Sequence, residues 1–162
     1  MANPVPDIRI QFRALSAAAT SLNKSSDELT QALGVLDSAL KKLNLGLLVW
    51  VPFSHVAMED PAEFDREEIG YAKVGGQWGI ALRRIWGHSA ADEFNLEGPW
   101  MFGEAPREMR IRAVDHIFEL IAKLVQTASE TTAKIQRKTS TARQLAATIA
   151  EIDLEQKKGS ER

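Results

Sequence analysis

Cysteine is absent from the 162 residues, which excludes disulfides, a thiol nucleophile and cysteine-ligated zinc. Histidine is scarce. His55, His88 and His116 stand far apart, and no HExxH, Glu-x-x-His or paired-histidine spacing occurs, so no preformed metal site is expected. No GxSxG is present and no serine has an evident base partner. No window approaches 18 uninterrupted apolar residues, so no membrane span is expected. Neither sign of charge dominates: 20 Lys+Arg against 22 Asp+Glu leave a net −2, which gives no general pull toward nucleic acid or an anionic membrane. The opening MANPVPDIR has neither a basic nor an apolar leader region, and a cytoplasmic protein without a cofactor is the expectation.

What is present is unevenly distributed. Residues 1–46 carry a charge of +1, residues 47–104 −6, and residues 105–162 +3. Nine of the eleven aromatics, including all four tryptophans, fall between Trp50 and Phe102, and eight of ten glycines between Gly46 and Gly103. An acidic, aromatic, glycine-punctuated middle therefore separates two aromatic-poor flanks. Length and an apolar content of 44% suit a single folded domain.

Both flanks read as long helices. Ile8, Phe12, Leu15, Ala19, Leu22, Ser26, Leu29, Leu33, Leu36, Leu40, Leu43 and Leu47 follow one another in alternating steps of four and three, a 3.5-residue repeat held over five heptads. The helix is expected over 7–46, with Asp7 as N-cap and Gly46 as left-handed C-cap. Ser25–Glu28 offers a capping box for a second start, but the heptad phase runs through it, so continuity is expected. From Pro106 a second helix is expected over 106–155, its stripe running Val114, Ile117, Ile121, Leu124, Ala128, Thr131, Ile135, Lys138, Ala142, Leu145, Ile149 and Ile152, with 156–162 as a frayed tail. Rods of these lengths span about 55–75 Å.

The two stripes predict an antiparallel, coiled-coil-like pair. With Leu43 opposite Val114, Leu36 meets Ile121, Leu22 meets Ile135, Phe12 meets Leu145 and Ile8 meets Ile149. Ser26 then shares a layer with Thr131, which leaves no lone hydroxyl facing leucine. Further apolar positions (Ala32, Val35 and Ala39 on one helix, Ala113, Phe118, Leu120 and Val125 on the other) need covering by the middle segment, a second protomer, or both. A homo-oligomer is expected, most simply a dimer with a four-helix core.

The middle reads as a small antiparallel sheet. Ile69–Val74 and Gln77–Trp86 flank Gly75–Gly76 as a two-residue hairpin. The turn sets Lys73 against Trp78, Tyr71 against Ile80 and Ile69 against Leu82, with one large face and one flat face of Gly70, Ala72, Gly79 and Ala81. Leu47–Phe53 supplies a third strand. The link from Ser54 to Glu68 is expected to hold a short helix, and residues 87–105 a long loop. The fold class is thus α+β, two long helices with a β head between them.

Arginine supplies the candidate chemistry. Arg107 and Arg110 extend the second stripe backward and are expected to point toward the sheet; Arg83 and Arg84 leave the hairpin beside Trp86 and Trp100. Guanidiniums around aromatic faces bind phosphate, carboxylate or nucleobase; the structural alternative is ion pairing with Asp92, Glu93, Glu97 or Glu104. The acidic run from Glu59 to Glu68 lacks calcium-loop spacing and reads as a solvated loop. Gly75–Gly79 precedes a strand, not a helix, so it is a turn and not a phosphate cradle. The Lys134–Arg143 basic stretch lacks the aromatic interleaving of a nucleic-acid surface.

These features lead first to a non-enzymatic, oligomeric binding or scaffold protein, with a helical stalk for self-association and an aromatic, acidic head for a protein partner. The alternative is a protein that binds or sequesters a small anionic, nucleotide-like ligand at Arg83, Arg84, Trp86, Trp100, Arg107 and Arg110. A hydrolase using two head carboxylates is a third reading without a distinguishing pair.

Overall fold

A computed structural model describes residues 8–160, with side chains except at 154 and 157–160. The chain order is helix, sheet, helix. α1 spans Ile8–Lys42; β1 (Val49–His55), β2 (Glu63–Val74), β3 (Gln77–His88) and β4 (Glu93–Met101) follow; then come α2 (Arg107–Ala113) and α3 (Ile117–Ser160). The residues fall into two compact units, 1–120 and 121–162.

α1 runs without a break through Ser25–Glu28, as its heptad phase demands. It ends at Lys42, earlier than expected. Leu43 and Asn44 donate their N–H groups to the Leu40 and Lys41 carbonyls, and Asn44 takes the left-handed cap (φ 48°) assigned to Gly46. Gly46, also left-handed, turns the chain into β1. The proposed Asp7 cap lies outside the described residues.

The sheet is an antiparallel meander of four strands in sequence order, not three. The central hairpin has the expected register: Lys73 opposite Trp78, Tyr71 opposite Ile80, Ile69 opposite Leu82. Both turn glycines have positive φ, 56° and 85°, the requirement of a primed two-residue turn whose twist matches the strands. The hairpin is longer than the apolar pattern suggested. It continues to Glu63 and His88, because charged pairs replace apolar ones in its far half. The acidic link therefore holds no helix; it is the end of β1, a short turn and the start of β2. Likewise residues 87–105 are not a loop. They hold a 3₁₀ turn at Ser89–Ala91 and then β4, where a cis Gly98–Pro99 bond and a register shift opposite Leu82–Arg84 mask the strand pattern. Both glycine and proline are tolerated there because β4 is an edge strand. Pro52 is accommodated on the other edge, beside the shift between Pro52 and Ser54.

One sheet face carries Val49, Val51, Ile69, Tyr71, Ile80 and Leu82, all buried. Burying each large side chain contributes roughly 1.5–3 kcal/mol. α2 contacts β2 and β3, bringing buried Met109 and Ala113, while α1 contacts β3. The flat face admits close neighbours: a Cβ at Gly70 would land on the Trp50 ring and the Val49 carbonyl, and one at Gly79 would lie 2.6 Å from Met101 Cε. β4 stops opposite Ala81, so the next outward-facing N–H of β3, that of Ile80, has no strand partner. Asp37 of α1 accepts it at 2.7 Å. The second helical stretch is interrupted by a 3₁₀ turn at Val114–His116, where Ile117 N–H bonds the Val114 carbonyl.

Candidate functional site

Arg83 and Arg84 are consecutive on β3, so pleating sends them to opposite faces. Arg83 lies over the Trp50 ring, 4.1 Å from its centroid, and its Nε and Nη2 reach Glu68 Oε2 at 2.7 and 2.6 Å. Glu68 also accepts from Arg66 Nε at 2.8 Å and is itself buried. On the other face Arg84 forms a two-pronged pair with Asp65 (Nε 2.9 Å, Nη2 2.6 Å) beside Trp86, 5.4 Å from the ring centroid. Those hydrogen bonds hold the Asp65 carboxyl below the usual carboxylate range and raise the pKa of Arg84 in return. Both sheet arginines are therefore neutralised, by β2 carboxylates rather than by Asp92, Glu93 or Glu104. Glu97 is the cross-strand neighbour of Arg84.

Arg107 and Arg110 differ. They do not point to the sheet but to α1. Arg110 donates to Thr30 Oγ1 at 2.7 Å and Ser26 Oγ at 3.1 Å; Arg107 donates to Asn23 Oδ1 at 2.9 Å. The three acceptors sit at i, i+3 and i+7 of α1, on one helix face. The i, i+3, i+7 spacing of these polar residues is a sequence signal for that face, whereas the heptad repeat alone places Ser26 in a layer with Thr131. The start of the second helical stretch thus packs beside residues 23–30, where the stripe alone had set Val114 opposite Leu43. Among the described residues neither arginine has a carboxylate partner, and the Nε of each is buried without an acceptor. A cleft of about 200 Å³ opens here, lined by Leu22, Ser25, Ser26, Leu29, Arg107, Arg110 and Ile111.

The six residues singled out as a ligand site thus divide among separate places. Trp86 lines a different, acidic cleft with Glu63, Asp65, His88 and Glu93, and Trp100 is half-buried against Gly98. The histidines make local contacts: His88 Nε2 lies 3.3 Å from Asp60, and His116 stacks at a tilt near Phe53, centroids 5.7 Å apart. No group of three His, Asp or Glu able to hold a metal ion occurs among the described residues.

A second feature is apolar. The outer part of α1 exposes Ile8, Phe12, Leu15 and Leu22, with Phe12 68% accessible. Within the other unit, α3 exposes Ile135, Leu145, Ile149 and Ile152, with Leu145 60% accessible. No described helix is long and apolar enough to cross a membrane.

The chain matches no protein-family model, no curated protein and no solved structure. The class its geometry defines is an α+β protein with long helices and a four-stranded antiparallel sheet.

Proposed function

We propose that the protein is a non-enzymatic, self-assembling binding or scaffold protein. The observation that carries this reading is the heptad-spaced apolar stripe left in solvent on both long helices, Ile8 to Leu22 and Ile135 to Ile152. Stripes of that length invite association when uncovered. The occupant is a second copy of the chain. The α1 stripe of one protomer pairs antiparallel with the α3 stripe of its partner, with Phe12 against Leu145, Leu22 against Ile135 and Ile8 against Ile149. A twofold axis makes that exchange reciprocal and closed, giving four helical segments in the assembled stalk. The sheet is the recognition end: β4 is an edge strand with Phe94 and Leu96 exposed, beside the acidic cleft at Glu63 and Glu93. A basic, extended segment of a protein partner suits that edge.

Size-exclusion chromatography with light scattering tests the assembly. A dimer or larger species at micromolar concentration is expected, converted to monomer by Phe12→Glu with Leu145→Glu. A monomeric parent chain overturns the reading.

A second reading, a protein that binds or sequesters a small anionic ligand, is favoured by the two arginines that lack carboxylate partners. Trp86 and Trp100 do not line their cleft, so the nucleotide-like clamp loses its stacking surface.

A further inference from the structure

We infer that the cleft between α1 and α2 is a binding site for a small organic carboxylate with a short hydrocarbon body. The inference deepens the second reading above; every residue of the cleft belongs to one chain and one compact unit, and one of them, Leu22, also lies on the stripe proposed for assembly.

Three observations converge. First, Arg107 and Arg110 are three residues apart on α2, so two cations share one helix face, and no described carboxylate offsets them. Like charges held together in this way repel until an anion joins them. Second, their hydrogen bonding is incomplete. A guanidinium has five N–H donors. Here Arg107 uses one, on Asn23, and Arg110 two, on Thr30 and Ser26, while both Nε–H groups are buried without an acceptor. The neutral acceptors of α1 anchor the side chains; both Nε–H groups are enclosed, and the terminal N–H groups not spent on α1 are the ones left for an anion. A carboxylate presents two acceptor oxygens with the fork geometry arginine prefers. Third, three apolar side chains complete the cleft beside Ser25 and Ser26. Leu22, Leu29 and Ile111 form its walls, and no aromatic side chain lines it. A bare inorganic anion would gain nothing from those walls, and a nucleobase would find no ring to stack on. A carboxylate head with an aliphatic body uses both halves. The volume, about 200 Å³, is below the ~300–1,000 Å³ of clefts that hold drug-sized ligands, which sets the size class.

Isothermal titration of the full chain with octanoate tests the site, with butyrate, inorganic phosphate and adenosine monophosphate as comparators. Octanoate is expected to bind, and the three comparators to bind at least about tenfold more weakly. Arg107→Gln and Arg110→Gln are each expected to weaken octanoate by about tenfold or more. Ile111→Ser is expected to weaken octanoate while leaving butyrate nearly unchanged. If Arg110→Gln fails to fold, Arg107→Gln decides, since Arg107 makes a single hydrogen bond to an exposed Asn23. Absence of octanoate binding overturns the inference, as does binding unchanged in Arg107→Gln. Phosphate binding as tightly as octanoate overturns the amphiphilic assignment. Light scattering on the same samples separates this outcome from the assembly reading: a monomer that binds octanoate defeats only the latter.

Discussion

Replacing Glu68 with alanine tests the polar half of the sheet. Glu68 is 3% accessible, and its carboxylate takes three short contacts from two arginines, at 2.6, 2.7 and 2.8 Å. Removing one partner of a buried ion pair costs about 3–5 kcal/mol, because the opposite charge is left desolvated and unpaired. The stranded groups here keep some solvent: the Arg83 side chain is 25% and that of Arg66 39% accessible. That access lowers the expected loss for Glu68→Ala to about 2–3 kcal/mol. With a urea slope of about 1–3 kcal/mol/M, the midpoint should fall by about 0.7–3 M. Tryptophan fluorescence is a direct readout, since Trp50 lies under the Arg83 guanidinium, and parent and variant are compared at matched protomer concentration. A double-mutant cycle with Arg83→Met should return a coupling of about 1–3 kcal/mol. Glu68→Leu combined with Arg83→Met should recover much of the loss, because a packed apolar pair often replaces a buried ion pair without penalty. A Glu68→Ala variant within about 0.5 kcal/mol of the parent would refute the argument, showing that desolvation already cancels the attraction.

Four further outcomes follow from the same structure. Arg84 holds the Asp65 pKa below its unfolded value, so the stabilisation is complete above the ordinary carboxylate value near 4 and is lost as pH falls through the lower folded value; the stability gap between the parent and Asp65→Asn should be full at neutral pH and close below about pH 4, and a gap independent of pH contradicts this. Tyr71, the single tyrosine, has its pKa raised first by burial and then by Asp37, so its phenolate absorbance should appear above the usual value near 10, with stability falling as pH rises through the ionisation; Asp37→Asn should lower the midpoint without normalising it. Gly70→Ala should cost about 1–3 kcal/mol by thermal melting, because the new methyl meets the Trp50 ring and strand backbone; a neutral effect would mean that Trp50 moves freely. Since the chain has no cysteine, Phe12→Cys with Leu145→Cys gives a clean cross-linking test, and oxidation should yield covalent dimers if the proposed exchange of stripes occurs.

The candidate site was partly legible. Arginine marked the region by residue type, but one-dimensional spacing could not say which arginines would find carboxylates. Arg83 and Arg84 are adjacent in sequence and belong to separate networks, because pleating divides them and the hairpin brings up Glu68 and Asp65. Arg107 and Arg110 lie far along the chain from Asn23, Ser26 and Thr30, so their acceptors come from a helix crossing that no local pattern encodes.

Local and periodic features needed no coordinates. The 3.5-residue stripe specified α1 through Ser25–Glu28, and the Gly75–Gly76 turn specified the hairpin register from Lys73–Trp78 to Ile69–Leu82, because backbone sterics and a period of two act over a few residues. β4 was invisible in Glu93–Met101, whose glycine and proline argue against a strand until β3 offers an edge to pair with. The Asn44 cap, the Asp37 bond to Ile80 and the enclosed Nε–H groups of Arg107 and Arg110 were likewise decided by packing. Each depends on which buried polar group lacks a partner once the elements have met, and that is a property of three-dimensional neighbours rather than of residue order.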